Sequence, residues 1–158
     1  MEEKIKLLIK KLREKNMTIS AMESCSGGSF CNSLTNIENA SDVFMFGAIT
    51  YSNLFKIKMG VKKKTINKYS VYSIEVAKEM AKRISLYATS SIGVGITGKL
   101  NKPDKNNLYG EDNIVYVSLY EKCSNKYKSF SIEVNSDNRV LNKKMVISKI
   151  IDELLLFV

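Results

Sequence analysis

Apolar residues recur along this chain with two different periods, and the alternation between those periods outlines the fold. Over residues 1–15 the apolar positions Ile5, Leu8, Ile9 and Leu12 fall at i, i+3, i+4 and i+7, with lysine and glutamate between them. That spacing puts one apolar stripe on a helix. Residues 18–22 (TISAM) read as a short strand that runs into Glu23-Ser24-Cys25-Ser26-Gly27-Gly28, and an apolar helix-like segment follows to Leu34. A second strand is expected at 47–51. A short helix then runs through Met59 with Ser52 or Asn53 as its cap, and Gly60 suits its C-terminal position. Ser73 caps a longer helix over 73–87, whose apolar face is Val76, Met80, Ala81 and Ile84.

The second half is richer in strands. Residues 91–97 (SIGVGIT) are small and β-branched, the composition of a strand in the middle of a sheet. Residues 99–113 are polar, contain the only proline, Pro103, and show no period, which marks a long loop. Runs at 114–120 and 127–134 flank a short polar turn and read as a hairpin. Ser136 or Asp137 then caps a closing helix with Val140, Ile147, Ile150, Ile151 and Leu154 on one face. The order is α-β-α-β-α-α-β-β-β-α. It predicts a single domain over 1–158, a three-layer α/β/α sandwich around one mixed sheet. In such sheets ligands gather beyond the carboxyl ends of the strands. Those ends carry 23–28, 51–53 and Thr97-Gly98.

Composition narrows the function classes. No apolar run approaches the ~20 residues that span a bilayer, and the charged N-terminal segment does not resemble a signal peptide. A cytoplasmic protein without membrane association is therefore expected. The net charge is +9, yet only Arg13, Arg83 and Arg139 among 25 basic residues are arginine, and lysines are spread over every segment. Nucleic acid is not the expected partner. Cys25, Cys31 and Cys123 lack metal-ligand spacing and the chain has no histidine, so neither a zinc site nor another cofactor is expected.

The absence of histidine also limits catalysis, since a hydrolase on this chain needs another base and lysine is the natural one. The segment 41–61, SDVFMFGAITYSNLFKIKMGV, offers Ser41 before a strand and Lys56 on the turn after it. If the chain folds back, hydroxyl and amine meet. Taken singly, Ser41 reads as a helix cap and Lys56 as a surface lysine. The Gly27-Gly28 turn reads equally as a β–α connection with Ser26 as the helix cap or as backbone N–H groups aimed at an anion.

Several motifs in one order resemble a known family. MESCSGG, the 41–61 segment, YSVYSIEVAKEMA, VGITG and SDNRVLNK resemble successive motifs of the CinA C-terminal domain, the nicotinamide mononucleotide deamidase family, across nearly the whole chain. The resemblance implies a homo-oligomeric amidohydrolase that converts nicotinamide mononucleotide to nicotinate mononucleotide and ammonia with a Ser–Lys pair. It assigns catalysis to Ser41, Lys56 and Tyr51. It assigns Ser24, Gly27, Gly28, Thr97, Gly98 and Arg139 to the nucleotide, with Arg139 and the Gly27-Gly28 turn suited to phosphate.

The chemistry sets a further requirement. Lysine takes the serine proton only when neutral, and lowering its pKa from ~10.4 to about 7–8 takes roughly 4 kcal/mol from burial or nearby positive charge. The chain departs from the family after Thr97-Gly98, where KLNKPDKNNLYGEDN replaces a glycine-containing loop, and Lys143 stands where a second arginine is expected. Two readings stay open on the sequence: an active amidohydrolase, or a nucleotide-binding or interaction domain of the same fold without turnover.

Overall fold

The computed structural model describes residues 1–158. The chain forms α1 (Glu2–Glu14), β1 (Ile19–Glu23), α2 (Ser29–Thr35), β2 (Phe44–Ile49), α3 (Asn53–Lys58), α4 (Lys63–Tyr69), α5 (Ile74–Ala88), β3 (Ile92–Gly98), β4 (Ile114–Glu121), β5 (Lys126–Glu133) and α6 (Arg139–Phe157). One 3-10 turn, Ala40–Asp42, precedes β2. The five strands make one sheet in the order β2-β1-β3-β4-β5. β1 lies parallel to β2 and β3, while β3–β4 and β4–β5 are antiparallel. The expected mixed sheet between helices is present, with β3 at its centre.

Strand alternation assigns the two faces. Ile92, Val94 and Ile96 of β3 and Val115, Val117 and Leu119 of β4 point to one side, where they join the apolar stripes of α1, α2 and α6 in a single cluster of 25 buried residues. Burying an aliphatic side chain of this size stabilises the fold by about 1.5–3 kcal/mol, which is why the periodic positions of α1 and α6 lie inward. The opposite face of β3 is Gly93, Gly95 and Thr97, and α5 lies directly on it. A Cβ at Gly95 would meet the Ala77 carbonyl oxygen and the Ala81 nitrogen, so glycine is what allows this close helix–sheet approach. Met22, Val61, Ile66, Val71, Val76, Met80 and Ile84 complete a smaller cluster on that side.

Four boundaries differ from the sequence expectation. β2 begins at Phe44 rather than at 47. It pairs only with β1, most of its residues are exposed, and so no buried face marks its register. α4 is a separate helix that starts at the 62–64 lysine cluster and is missing from the expected order of elements. α6 is capped by Asn138, whose side chain accepts from the Val140 and Leu141 N–H groups, and neither Ser136 nor Asp137 is the cap. α2 has Gly28 as its cap instead of Ser26. Ser52 and Ser73 cap α3 and α5 as expected, each accepting a backbone N–H at 3.3 Å.

Gly95→Ala is expected to lower the unfolding free energy by about 3 kcal/mol, because α5 must shift off the sheet to admit the methyl group. Urea denaturation at pH 7 measures this; a loss below about 1 kcal/mol would contradict the close approach.

Candidate active site

Lys56 is the most unusual side chain in the fold. It lies on α3, yet only 2% of its surface is exposed. Two acceptors hold its amine: the Thr50 carbonyl oxygen at 2.6 Å and the Ser24 Oγ at 2.9 Å. These acceptors come from loops that leave neighbouring parallel strands, β1 and β2. The two loops are themselves joined by the Thr50 N–H, which donates to the Glu23 carbonyl oxygen at 2.8 Å. Parallel pairing therefore brings the Ser24 hydroxyl and the Lys56 amine together at the carboxyl end of the sheet. Burial pulls the Lys56 pKa down to about 8, partly opposed by the Asp104 carboxylate. Burial, against the pull of Arg139 and Lys56 and helped by the Glu23 carboxylate, pushes the neighbouring Cys25 thiol up to about 12, so it stays neutral.

Ser41 is not part of this arrangement. It sits exposed on the 3-10 turn before β2, next to Asp42, which pairs with Arg13 at 3.0 Å. Ser41 is thus at the amino ends of the strands and Lys56 is beyond their carboxyl ends. The six residues of β2 separate them by roughly 20 Å. The expected meeting of Ser41 and Lys56 is corrected by this topology: the serine against the amine is Ser24.

The Gly27-Gly28 turn is also different from the expectation. An anion does sit at its N–H groups, but it is the chain's own. The fully buried Glu23 carboxylate accepts from Gly28 N at 3.1 Å, Phe30 N at 3.2 Å and Cys31 N at 2.8 Å. Gly27 N donates to the Ser24 carbonyl oxygen. The turn is closed internally, and neither glycine lines the cavity described next. The N–H groups of Cys25 and Ser26, by contrast, donate to no other protein group.

Ser24 opens onto a cavity of about 480 Å³. Tyr51, Gly98 and Arg139 are among its lining residues, and Arg139 donates to the Tyr51 hydroxyl at 3.1 Å. Thr97 does not line it: its hydroxyl is fully buried and donates to the Val71 carbonyl oxygen at 3.0 Å, fixing the segment before Tyr72. Much of the remaining wall comes from the 99–113 loop, joined by Cys25, the start of α3 and Tyr72, and was not foreseen residue by residue. Tyr72 donates to Asp104, Asn107 Nδ2 donates to Asp104 Oδ2 at 3.0 Å, and Asn53 Nδ2 donates to Asn107 Oδ1 at 2.9 Å. Lys99 is buried and bonds Asp112 at 2.8 Å and the Gly110 carbonyl oxygen at 3.3 Å, closing the neck of the loop. The sequence signal for Ser24 was available: it follows β1 as Lys56 follows β2, both at carboxyl ends.

This architecture and its sequence have known counterparts. The model of the CinA C-terminal domain matches residues 1–155, and the chain belongs to that family. It is 38% identical over 143 residues to a competence-damage inducible protein of Clostridium botulinum, covering 89% of this chain and 34% of that protein. It is 40% identical over 127 residues to a competence-damage inducible protein of Clostridium perfringens, covering 80% and 31%. The chain thus spans about a third of the length of these relatives. Among solved structures it resembles a CinA-superfamily protein from Escherichia coli, with a TM-score of 0.88 at 22% identity over 99% of this chain and 90% of the other. It also resembles a competence/damage inducible protein from Agrobacterium tumefaciens, with a TM-score of 0.87 at 22% identity over 98% and 93%. No helix is long and apolar enough to cross a membrane.

The depressed pKa of Lys56 has a consequence for stability. The unfolded chain holds this proton up to about pH 10.5 and the folded chain releases it near 8, so the cost of burying the cation is present in full below pH 8. It is relieved as pH rises from 8 to 10.5, by about 3 kcal/mol in total. The expected result is an unfolding free energy that rises over that interval relative to Lys56→Met, read from paired urea titrations; parallel curves would mean that the amine is not desolvated.

Proposed function

We propose that this domain is an amidohydrolase that releases ammonia from the carboxamide of nicotinamide mononucleotide, with Ser24 as nucleophile and Lys56 as general base. The observation that carries the reading is the Lys56 amine, buried and 2.9 Å from the Ser24 Oγ at the edge of the cavity. An amine with a pKa of about 8 is neutral in ~10% of molecules at pH 7, enough for base catalysis without histidine. The Thr50 carbonyl oxygen holds one Nζ–H, which orients the amine toward Ser24.

In this mechanism Ser24 Oγ bonds to the carboxamide carbon as its proton passes to Lys56. The tetrahedral oxyanion needs donors, and the Cys25 and Ser26 N–H groups, free of other partners and adjacent to the nucleophile, are suited to it. Lys56 returns the proton to the nitrogen, which leaves as ammonia. A water deprotonated by Lys56 then cleaves the ester on Ser24 and restores the enzyme. Arg139 provides a guanidinium fork for the nucleotide phosphate, with Tyr51 holding its position.

Ammonia release from nicotinamide mononucleotide tests the reading. Ser24→Ala and Lys56→Ala are each expected to lower kcat by at least about a thousandfold, while Ser41→Ala retains wild-type activity. Wild-type kcat/KM should rise about tenfold per pH unit below pH 8 and level off above it, as Lys56 loses its proton. Activity that persists in Ser24→Ala would remove it as nucleophile; an inactive wild type that still binds the nucleotide would favour a binding domain of the same fold.

A further inference from the structure

Asp104 is the one carboxylate among the residues that line the cavity, whose other charged lining groups are Lys99, Lys102 and Arg139. Its surroundings are unusual for an acid in a basic protein. Its hydrogen-bond donors are neutral: the Tyr72 hydroxyl, the Asn107 amide at 3.0 Å and the Asn106 N–H at 2.9 Å. No lysine or arginine forms an ion pair with it, and the nearby Lys99 is already paired with Asp112 at 2.8 Å. Neutral donors fix the direction of a carboxylate and favour its ionised form without cancelling its charge. The donors are held in turn, since Asn107 is tied to Asn53 at the start of α3, and Tyr72 follows Val71, which Thr97 anchors. The loop thus holds, on the wall of the cavity onto which Ser24 opens, a negative charge that no ion pair neutralises, though Lys99 acts on it from a distance. That charge reaches the reacting groups, for it acts on the Lys56 amine.

We propose that Asp104 is a specificity-determining residue that favours substrates whose carboxamide-bearing ring carries a positive charge. This rests on the amidohydrolase reading above and adds a discrimination to it. With Arg139 available to the phosphate, a cavity that holds one fixed anion near the amide-cleaving pair suits a zwitterionic substrate. It selects against an amide on a neutral ring of the same shape. The residue belongs to the 99–113 loop, so the discrimination is built by this chain's own polar network.

The test compares two compounds with the same phosphate, ribose and carboxamide: nicotinamide mononucleotide, with a cationic ring, and its reduced dihydropyridine form, with a neutral ring. Asp104→Asn is expected to lower kcat/KM for the cationic compound about tenfold, mainly through KM, and to leave the neutral one within about twofold. Asp104→Glu should recover part of the loss. An equal fall on both compounds, or no change on either, overturns the proposal. Tyr72→Phe removes the bond that pins the loop but keeps the charge, so the ring preference should persist; its disappearance there would assign the effect to loop architecture and overturn the charge assignment. If the wild type releases no ammonia from either compound, the amidohydrolase reading fails by itself. Calorimetric Kd values for the same pair on wild type and Asp104→Asn then decide: a loss confined to the cationic compound supports the charge assignment, and an equal loss or no binding overturns it.

Discussion

A lysine amine buried at the end of a sheet is the constraint on which the site depends. An ammonium without water requires acceptors, and each acceptor of Lys56 commits a different piece of backbone: Thr50 just past β2 and Ser24 just past β1. The two loops must leave adjacent parallel strands in register for this to happen, and the Thr50 N–H bond to the Glu23 carbonyl oxygen continues the pairing one step beyond β2. Desolvation of the amine works against stability, by an amount on the order of 3 kcal/mol at neutral pH. The large apolar cluster beneath the other face of the sheet offsets that cost. Fold stability and the readiness of the amine to accept a proton are therefore opposed quantities in this structure.

A second buried charge organises the same corner by a different route. Glu23 ends β1 and turns back to accept three backbone N–H groups around the start of α2. This satisfies donors that a short helix leaves open and gives the carboxylate strong compensation without any cation. It also settles what the glycine turn is for. Gly27 and Gly28 have φ of +59° and +92°, and this conformation lets the chain double back over Glu23. A motif that suggests an external anion is here filled by an internal one.

The layers of the fold were legible because they rest on periodicity: α1, α5 and α6 carry clear apolar faces, and β3 carries the small residues of a central strand. β2 was legible only as an approximate strand, since an edge strand with most residues exposed lacks an apolar alternation to set its start. For the site, Lys56, Tyr51, Gly98 and Arg139 were found in or against the cavity, and Thr97 was found one layer beneath it. Ser41 does not meet Lys56 for a topological reason. Nearness in sequence favoured it, but a serine before a strand and a lysine after that strand occupy opposite edges of the sheet. The rule that ligands gather at carboxyl ends already favoured Ser24.

The 99–113 loop was the least legible part, and its physics explains why. Its bonds are side chain to side chain or side chain to backbone across irregular geometry, as in Tyr72–Asp104, Asn53–Asn107 and Lys99–Asp112. No periodicity accompanies such pairs. Read as composition, the loop is polar and lacks the glycines that let backbone approach a ligand. In the structure those polar side chains bind one another and make a wall. Under the charge assignment proposed above, replacing backbone contact by a wall of oriented side chains would move substrate discrimination from shape toward charge, because a side-chain carboxylate projects a field that an amide backbone does not. Seen in this way, the departure of the loop from the family pattern need not weaken the site. Lys56 and Ser24 depend on β1, β2 and α3, to which the loop is hydrogen-bonded through Asn53 and Asn107. The loop can therefore vary what enters the cavity while the pair that would cleave it stays in place.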